Sequence, residues 1–474
     1  MSGQYEMVIG LEVHIELKTK SKIFCGCPTD FGAPPNTQCC PVCAGMPGAL
    51  PVLNRQVVAF AIRAGLATGC DIAPYSRNDR KNYFYPDLPK AYQISQFDLP
   101  LCEHGHLDIA TEAAEKTVRI TRIHIEEDAG KLVHDEKRGT LIDLNRCGVP
   151  LIEVVSEPDM RSAEEAVAYL KKLRSVALYT GISDAKMNEG SLRCDVNLSV
   201  REKGSDRLGT RTEMKNLNSF AFIAQAIGYE YARQVKLLEA GEAVVQETRR
   251  FDPGTGQTYS MRSKENANDY RYFPDPDLLP ILTDEEAIQR AARDIPRMPD
   301  ARKALYTQTY GLSAYHAEAL VLDKAISDFF EEAAALTPHK KQLGIFILSE
   351  VTRLAAQEGS IAIAPTQLAA IVEMLAQERV NSGAAKKLLA ALWNTQGDPE
   401  RLVRELRLEQ ISDEARLRAV VQRVLADNPR VVASYHAGKQ QAEKALMGKA
   451  MGETDGKANP AILQRVLHAL LTQA

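Results

Sequence analysis

The sequence predicts an α+β fold, with antiparallel strands first and a long run of helices after them. Three observations carry this. Residues 6–18 alternate strictly, with Met7, Ile9, Leu11, Val13, Ile15 and Leu17 on one face and Gly10, Glu12, His14, Glu16 and Lys18 on the other, as expected of a strand with one face on a core. Residues 192–201 repeat the pattern: Leu192, Cys194, Val196, Leu198 and Val200 face one way, and Arg193, Asp195, Asn197, Ser199 and Arg201 the other. Beyond Ile295-Pro-Arg-Met-Pro299 strand signals fade into alanine- and leucine-rich helical spacing.

At 474 residues the chain exceeds a single core, so two to four domains are expected. A hydrophobic share of 45% and a charged share of 25% suit a globular protein. A net charge of −4 excludes broad non-specific nucleic-acid binding and leaves only local contact. No apolar run is long enough for a membrane span and no cleavable leader is visible, which predicts a cytoplasmic protein. Nine cysteines in such a chain point to metal rather than a disulfide framework.

After the first strand come Cys25-Gly-Cys27 and Cys40-Pro-Val-Cys43, a C-x-C and a C-x-x-C in a loop rich in Pro and Gly. Four thiolates at this spacing suit a closed, structural zinc site, with Cys39 a spare neighbour. The other reading is a set of free, reduced thiols. Residues 54–70 read as a helix covering the sheet. The stretch 79–96 holds two prolines that bar regular helix, the cations Arg80, Lys81 and Lys90, several aromatics, and the amides Gln93 and Gln96. Loops of that mixed chemistry line sites, for phosphate together with a base or ribose; a plain surface loop is the alternative.

Residues 117–125 read as a strand whose apolar phase slips between Ile120 and Ile123, which predicts a bulge near Thr121. It runs into Glu126-Glu127-Asp128, either solvated acids or cation ligands. Glu153 stands inside the apolar run 151–155 and must be paired, protonated or metal-bound, since a lone buried charge costs several kcal/mol or more. A helix over 162–179 follows, with Ser162 as N-cap and Glu164 and Glu165 in its first turn. Residues 210–215 form another strand with Arg211, Glu213 and Lys215 on one side, and 219–241 another helix. Residues 269–278 form a second stretch rich in Pro, aromatics and charge.

Several strands thus share one plan, a core behind and mixed acids and bases in front. Collected on one sheet, Glu12, Glu127, Glu153, Asp195 and Glu213 can hold Mg²⁺ while the bases hold phosphate, without any glycine-rich P-loop. Arg193 and Arg201 are assigned to phosphate from their strand face. Domain boundaries are expected near 293 and 404. From Arg401 on bases outnumber acids, so the end is either a solvated helical bundle or a small unit touching RNA backbone.

Gly10-Leu-Glu-Val-His14, 79–87, Pro89-Lys-Ala-Tyr-Gln-Ile-Ser-Gln96, Glu126-Glu-Asp-Ala-Gly-Lys131, Glu213-Met-Lys-Asn-Leu-Asn-Ser219 and Asp269-Tyr-Arg-Tyr-Phe-Pro274 together resemble the B subunits of bacterial tRNA-dependent amidotransferases of the GatCAB type. The resemblance covers the whole length and includes the terminal Gly-Lys-Ala-Asn-Pro element of a YqeY-like tail. It implies a twisted antiparallel sheet cradle like that of glutamine synthetase over 1–293, a helical domain over 294–404 and a tRNA-binding tail over 405–474. The implied activity is ATP-dependent phosphorylation of the side-chain carboxylate of Glu-tRNA(Gln) or Asp-tRNA(Asn), then amide formation with ammonia. A glutaminase, the A subunit, would supply that ammonia, and a small C subunit would complete a heterotrimer. Mg²⁺ would sit on Glu12, His14, Glu127, Glu153 and Glu213, with Asp195 near the nucleotide and Lys81 and Lys90 along the ammonia path, a phosphate role for these lysines being the alternative. A non-catalytic tRNA-binding scaffold is the alternative. Three residues depart from the pattern: Asn78 replaces an aromatic, Ala91 a glycine and Asn188 an acid.

Overall fold

The computed structural model describes residues 4–135, 137–263, 270–439 and 441–473; Asp269, which opens one of the motifs above, lies outside them. The chain divides into two compact units, one up to Met298 and one from Pro299 onward.

The first unit is built on a nine-stranded sheet with the strand Tyr5–Glu16 at its centre. On one side of it lie Pro150–Ser156, Glu115–Glu127, Cys102–Ala110 and Asp71–Ile72; on the other lie Leu192–Glu202, Thr212–Lys215, Glu247–Asp252 and Gln257–Ser263. All neighbours are antiparallel except Thr212–Lys215 and Glu247–Asp252, which run parallel. The parallel pair is possible because the helix Phe220–Glu239 lies between the two strands in sequence and returns the chain to the starting end.

The alternation decides which face is buried. Ile9, Leu11, Val13, Ile15 and Leu17 are at most 2% exposed, and each buried aliphatic of that size contributes about 1.5–3 kcal/mol. The helices Arg55–Ala67, Ala163–Thr180 and Phe220–Glu239 share that core. Their starts were legible: Asn54, Ser162 and Ser219 each accept a hydrogen bond from a backbone N–H of the first turn. The bulge expected near Thr121 is present, because Arg122 pairs with Val155 and Ile120 with Ser156, leaving Thr121 over.

A small sheet joins Asp79–Asn82 to Tyr92–Ser95 and to Phe273–Pro274. It brings the two Pro- and aromatic-rich stretches side by side. Arg80 donates to Asp275 at 2.8 Å and to Asp277 at 2.9 Å, and the Phe97 and Tyr272 rings stack 4.2 Å apart. Gln93 donates to the Glu127 carbonyl at 2.7 Å and Gln96 accepts from Ile125 N–H at 3.0 Å, so the two amides fasten this loop to the large sheet.

The second unit is all helical among its described residues and has two cores, one around Tyr306, Phe330, Leu368 and Leu388 and one around Leu417, Leu446, Leu463 and Leu467. Among the described residues proline opens five of its helices, at Pro299, Pro365, Pro399, Pro429 and Pro460, where the absent N–H costs nothing. Among the described residues no helix is long and apolar enough to cross a membrane.

Candidate active site

The polar face of the large sheet follows from the register. His14 lies opposite Glu153 on one side and Arg193 on the other, and Glu153 lies opposite His124. In the next rows Glu12 faces Asp195, and Asn197 faces Glu213. Two acid clusters result. In the first, His14 Nε2 is 3.7 Å from Glu126 Oε1 and 3.7 Å from Glu153 Oε2. In the second, Glu12, Asp195 and Glu213 each bring a carboxylate oxygen within 4.8 Å of the others.

The first cluster is held from behind. His124 Nε2 is 3.1 Å from Glu153 Oε2, and Ser95 donates to Glu126 at 3.0 Å. Burial works against charge on all these groups, but the pairing outweighs it. The His124 imidazole is raised to about 9 by Glu153 and Glu126 against that burial, and both carboxyls are held below their ordinary range by the cations around them. Lys81 belongs here too. Burial opposes its charge, yet Glu126, Tyr272 and Glu153 hold its ammonium well above the usual lysine range, while its Nζ lies 5.1 Å from the Tyr270 ring centre. Lys81 therefore keeps its proton near neutrality.

In the second cluster Lys215 binds Asp195 and lies 3.0 Å from Glu213, Asn197 donates to Glu12 at 2.9 Å, and Thr248 donates to Glu213 at 2.7 Å. Burial, with Glu153 nearby, raises the Glu12 carboxyl. Lys215 is thus the resident counter-charge that a cation at this cluster would have to share.

The structure regroups the residues singled out in the sequence. His14, Glu153, Glu12, Glu213, Asp195 and Lys81 meet on one face. Glu127 does not: Glu126 stands where Glu127 was expected. Successive residues of a strand point to opposite faces, so Glu127 turns under the sheet, where it binds Lys90 and accepts from Ile94 N–H at 2.8 Å. Lys90 goes with it, away from Lys81. Arg201 pairs with Glu6 at 2.7 Å, six residues along the strand from Asp195, or about 20 Å. Arg193 stays at the site but is engaged bidentately by Asp128 at 3.2 and 2.6 Å, next to a Glu16 carboxyl pushed up to about 8 by burial and by Asp128. Glu126 was not told apart from Glu127 because the strand was ended at Ile125, and His124, already inside that strand, was not singled out. Carrying its alternation one residue further sets Glu126 on the polar face beside His124.

Cys25, Cys27, Cys40 and Cys43 converge, with one sulfur from each inside a 4.8 Å span. The Cys40 and Cys43 sulfurs are 4.0 Å apart, close to the edge of about 3.8 Å of a sulfur tetrahedron with ~2.3 Å bonds. Cys43 is drawn down to about 4 by its hydrogen bond with Cys25, with the Lys22 ammonium 3.5 Å away. The donor set fits a metal ion, and four sulfurs leave it no open position. For the first acid cluster the donors are one imidazole and two carboxylates, a set that also fits a divalent cation.

A family profile described as the GatB/GatE catalytic domain matches residues 7–289, and one described as a GatB domain matches residues 328–471. Proteins named as the B subunit of an aspartyl/glutamyl-tRNA(Asn/Gln) amidotransferase are similar throughout. That of Caldicellulosiruptor saccharolyticus is 52% identical over 472 residues, covering 98% of each chain. That of Geotalea uraniireducens is also 52% identical over 98% of each, and that of Thermodesulfovibrio yellowstonii 48% identical over 99% of this chain and 100% of its own.

Proposed function

The chain belongs to the GatB family of tRNA-dependent amidotransferase B subunits, and from that premise we propose that the sheet's polar face activates a tRNA-borne carboxylate with ATP and then receives ammonia. It is one subunit of a ligase. The substrates read from the relatives' names are Asp-tRNA(Asn) and Glu-tRNA(Gln). The observation that carries the reading is the pair of adjoining acid clusters, His14, Glu126 and Glu153 beside Glu12, Asp195 and Glu213.

In the first step a side-chain carboxylate oxygen bonds to the γ-phosphorus of ATP and ADP leaves. In the second, ammonia attacks the acyl carbon, a C–N bond forms, phosphate leaves and one proton is lost. A divalent cation, Mg²⁺ in this reading, supplies neutralisation of phosphate charge. His14, Glu126 and Glu153 would hold one such ion and Glu12, Asp195 and Glu213 a second. Lys81 serves as a fixed positive charge toward phosphate, and Lys215 would join it as a cation takes its place on Asp195 and Glu213; Arg193 is held bidentately by Asp128, and Arg201 lies about 20 Å along the strand from Asp195. Because Lys81 keeps its proton, it orients rather than deprotonates, and the proton lost from ammonium falls to a carboxylate. Lys90 with Glu127 is read as part of the ammonia route.

The same proposal includes Zn²⁺ at the four cysteines, a glutamine-synthetase-like cradle for the large sheet, and a cytoplasmic heterotrimer with the glutaminase (A) and small (C) subunits. It divides the chain at 293 and 404, with 405–474 touching tRNA. In the reconstituted complex, His14→Ala and Glu153→Gln are expected to abolish ADP release on misacylated tRNA while tRNA binding persists. Normal turnover in both variants would remove this assignment; loss of tRNA binding instead would favour a scaffold.

A further inference from the structure

The Lys90–Glu127 pair lies away from the acid clusters, in a cavity of about 270 Å³ walled on one side by the cysteine loop, including Lys22, Cys25, Cys43 and Gly45, and on the other by Arg80, Tyr92, Ile94 and Asp277. The loop presses directly on Lys90, and Glu127 follows through its ion pair with Lys90. Gly45, two residues after Cys43, has φ +68°, and a methyl group there would lie 2.6 Å from Lys90 Cγ and 3.1 Å from Lys90 N. The backbone of the loop is therefore seated directly on Lys90, at a position that only glycine fits. On the other side, Gly148 with φ +78° separates Cys43 from Glu127; a methyl group on it would lie 3.5 Å from Cys43 Cβ and 3.9 Å from Glu127 Oε2.

These contacts are tied into the sheet. Gly148 N–H donates to the Asp128 carbonyl at 2.9 Å, its own carbonyl accepts from Ile23 N–H at 2.9 Å, and Lys22 N–H donates to the Cys27 carbonyl at 2.9 Å. Lys22, fully buried, reaches from Cys43 Sγ to the Leu144 carbonyl at 3.4 Å. Phe24, next to Cys25, lies with its ring centre 5.8 Å from Lys90 Nζ. The tight contact is the one at Gly45, on Lys90; Glu127 is held through its ion pair with Lys90 and lies beside Gly148 at ordinary packing distance.

We propose that the cysteine loop is the positioning device for the Lys90–Glu127 pair, so that metal bound by Cys25, Cys27, Cys40 and Cys43 fixes where Lys90 and Glu127 stand. Gly45 is then a positioning residue acting through Lys90. The consequence for chemistry rests on reading Lys90 as part of the ammonia route: disturbing the loop leaves carboxylate activation running and uncouples it from amide formation.

The test uses the assembled complex in three forms: zinc-loaded, stripped with a chelator, and as Gly45→Ala, which keeps all four cysteines. Lys90 and Lys81 are labelled with an amine-reactive reagent and read by peptide mass spectrometry, zinc is measured in the same samples, and amide formed per ADP released is followed on misacylated tRNA. The stripped complex and Gly45→Ala are expected to label several-fold faster at Lys90 and unchanged at Lys81, and to yield less amide per ADP, with zinc retained in Gly45→Ala. Lys90 labelling that responds to neither treatment overturns the proposal whatever the assay gives. An equal rise at Lys81 also overturns it, since the loop then merely supports the whole unit. Labelling that responds as expected while the zinc-loaded complex forms no amide leaves the positioning intact and removes the functional reading instead.

Discussion

Ala91 adopts φ +62°, in the left-handed region where an L side chain costs about 1–2 kcal/mol. A glycine, which the resemblance leads one to expect there, would meet that backbone requirement without strain. Ala91→Gly is expected to relieve that strain, offset in part by the freer unfolded chain, for a net gain of about 1 kcal/mol or less in urea unfolding. Asn78, where the resemblance leads one to expect an aromatic, is 3% exposed, and neither polar atom of its side chain has a hydrogen-bond partner among the described residues; nothing in the structure explains that difference. Glu126 and Glu127 are neighbours in sequence with opposite surroundings. Glu126→Gln takes one oxygen charge from the His14 cluster and is expected to lower ADP release on the order of a hundredfold. Glu127→Gln should hold ADP release within a few-fold and reduce the amide made from each ADP. Reversed effects would mean that the strand's facing is misassigned.

The helix Phe220–Glu239 does more than cover the sheet. Its Glu230, fully buried, accepts from Thr212 at 3.0 Å, Thr258 at 3.1 Å and Arg233 at 2.6 Å, and lies 3.3 Å from Arg249. Burial opposes its charge, but these partners hold its carboxyl below the ordinary range. One side chain thus ties the helix to three consecutive strands at the edge that carries Glu213. Glu230→Ala takes one of two carboxylates from Arg233 and Arg249, which keep Glu247, and strips the buried hydroxyls of Thr212 and Thr258 of their acceptor; it is expected to cost about 3 kcal/mol, measured by chemical unfolding. Because the folded carboxyl has the lower pKa, its contribution is present above the unfolded value and fades as pH falls through the folded one. Wild type and variant should therefore converge in stability on acidification. A constant gap down to low pH would show that packing, not charge, makes the difference.

Across the whole molecule the cores are separate, and the second unit contains two. Val403 and Leu408 belong to the first of these and Leu417 begins the second. Asn459 joins them by donating to Glu378 at 2.8 Å while its Oδ1 caps the last helix. Truncation after Glu409 is therefore expected to leave the strand-rich unit's thermal transition in place and to weaken tRNA binding, with a shallower salt dependence. Unchanged tRNA affinity would reduce the tail to a solvated bundle. Much of this was legible in the linear chain. The period of two in 6–18 and 192–201, the cap Ser162, the helix starts at Asn54 and Ser219, the slip at Thr121 and the spacing of Cys25, Cys27, Cys40 and Cys43 are local signals, set by backbone geometry and near neighbours. Which of two adjacent glutamates faces the site was written in the alternation as well, but only for a strand carried to its true end. Partner choice was not. Arg193 on Asp128, Arg201 on Glu6, Lys90 on Glu127 and Lys215 on Asp195 depend on the order of strands across the sheet, and charge attraction carries no sequence period. The chain alone determined the elements and the kinds of group on each face; tertiary structure decided which charges meet, because that is fixed by long-range pairing between strands up to two hundred residues apart.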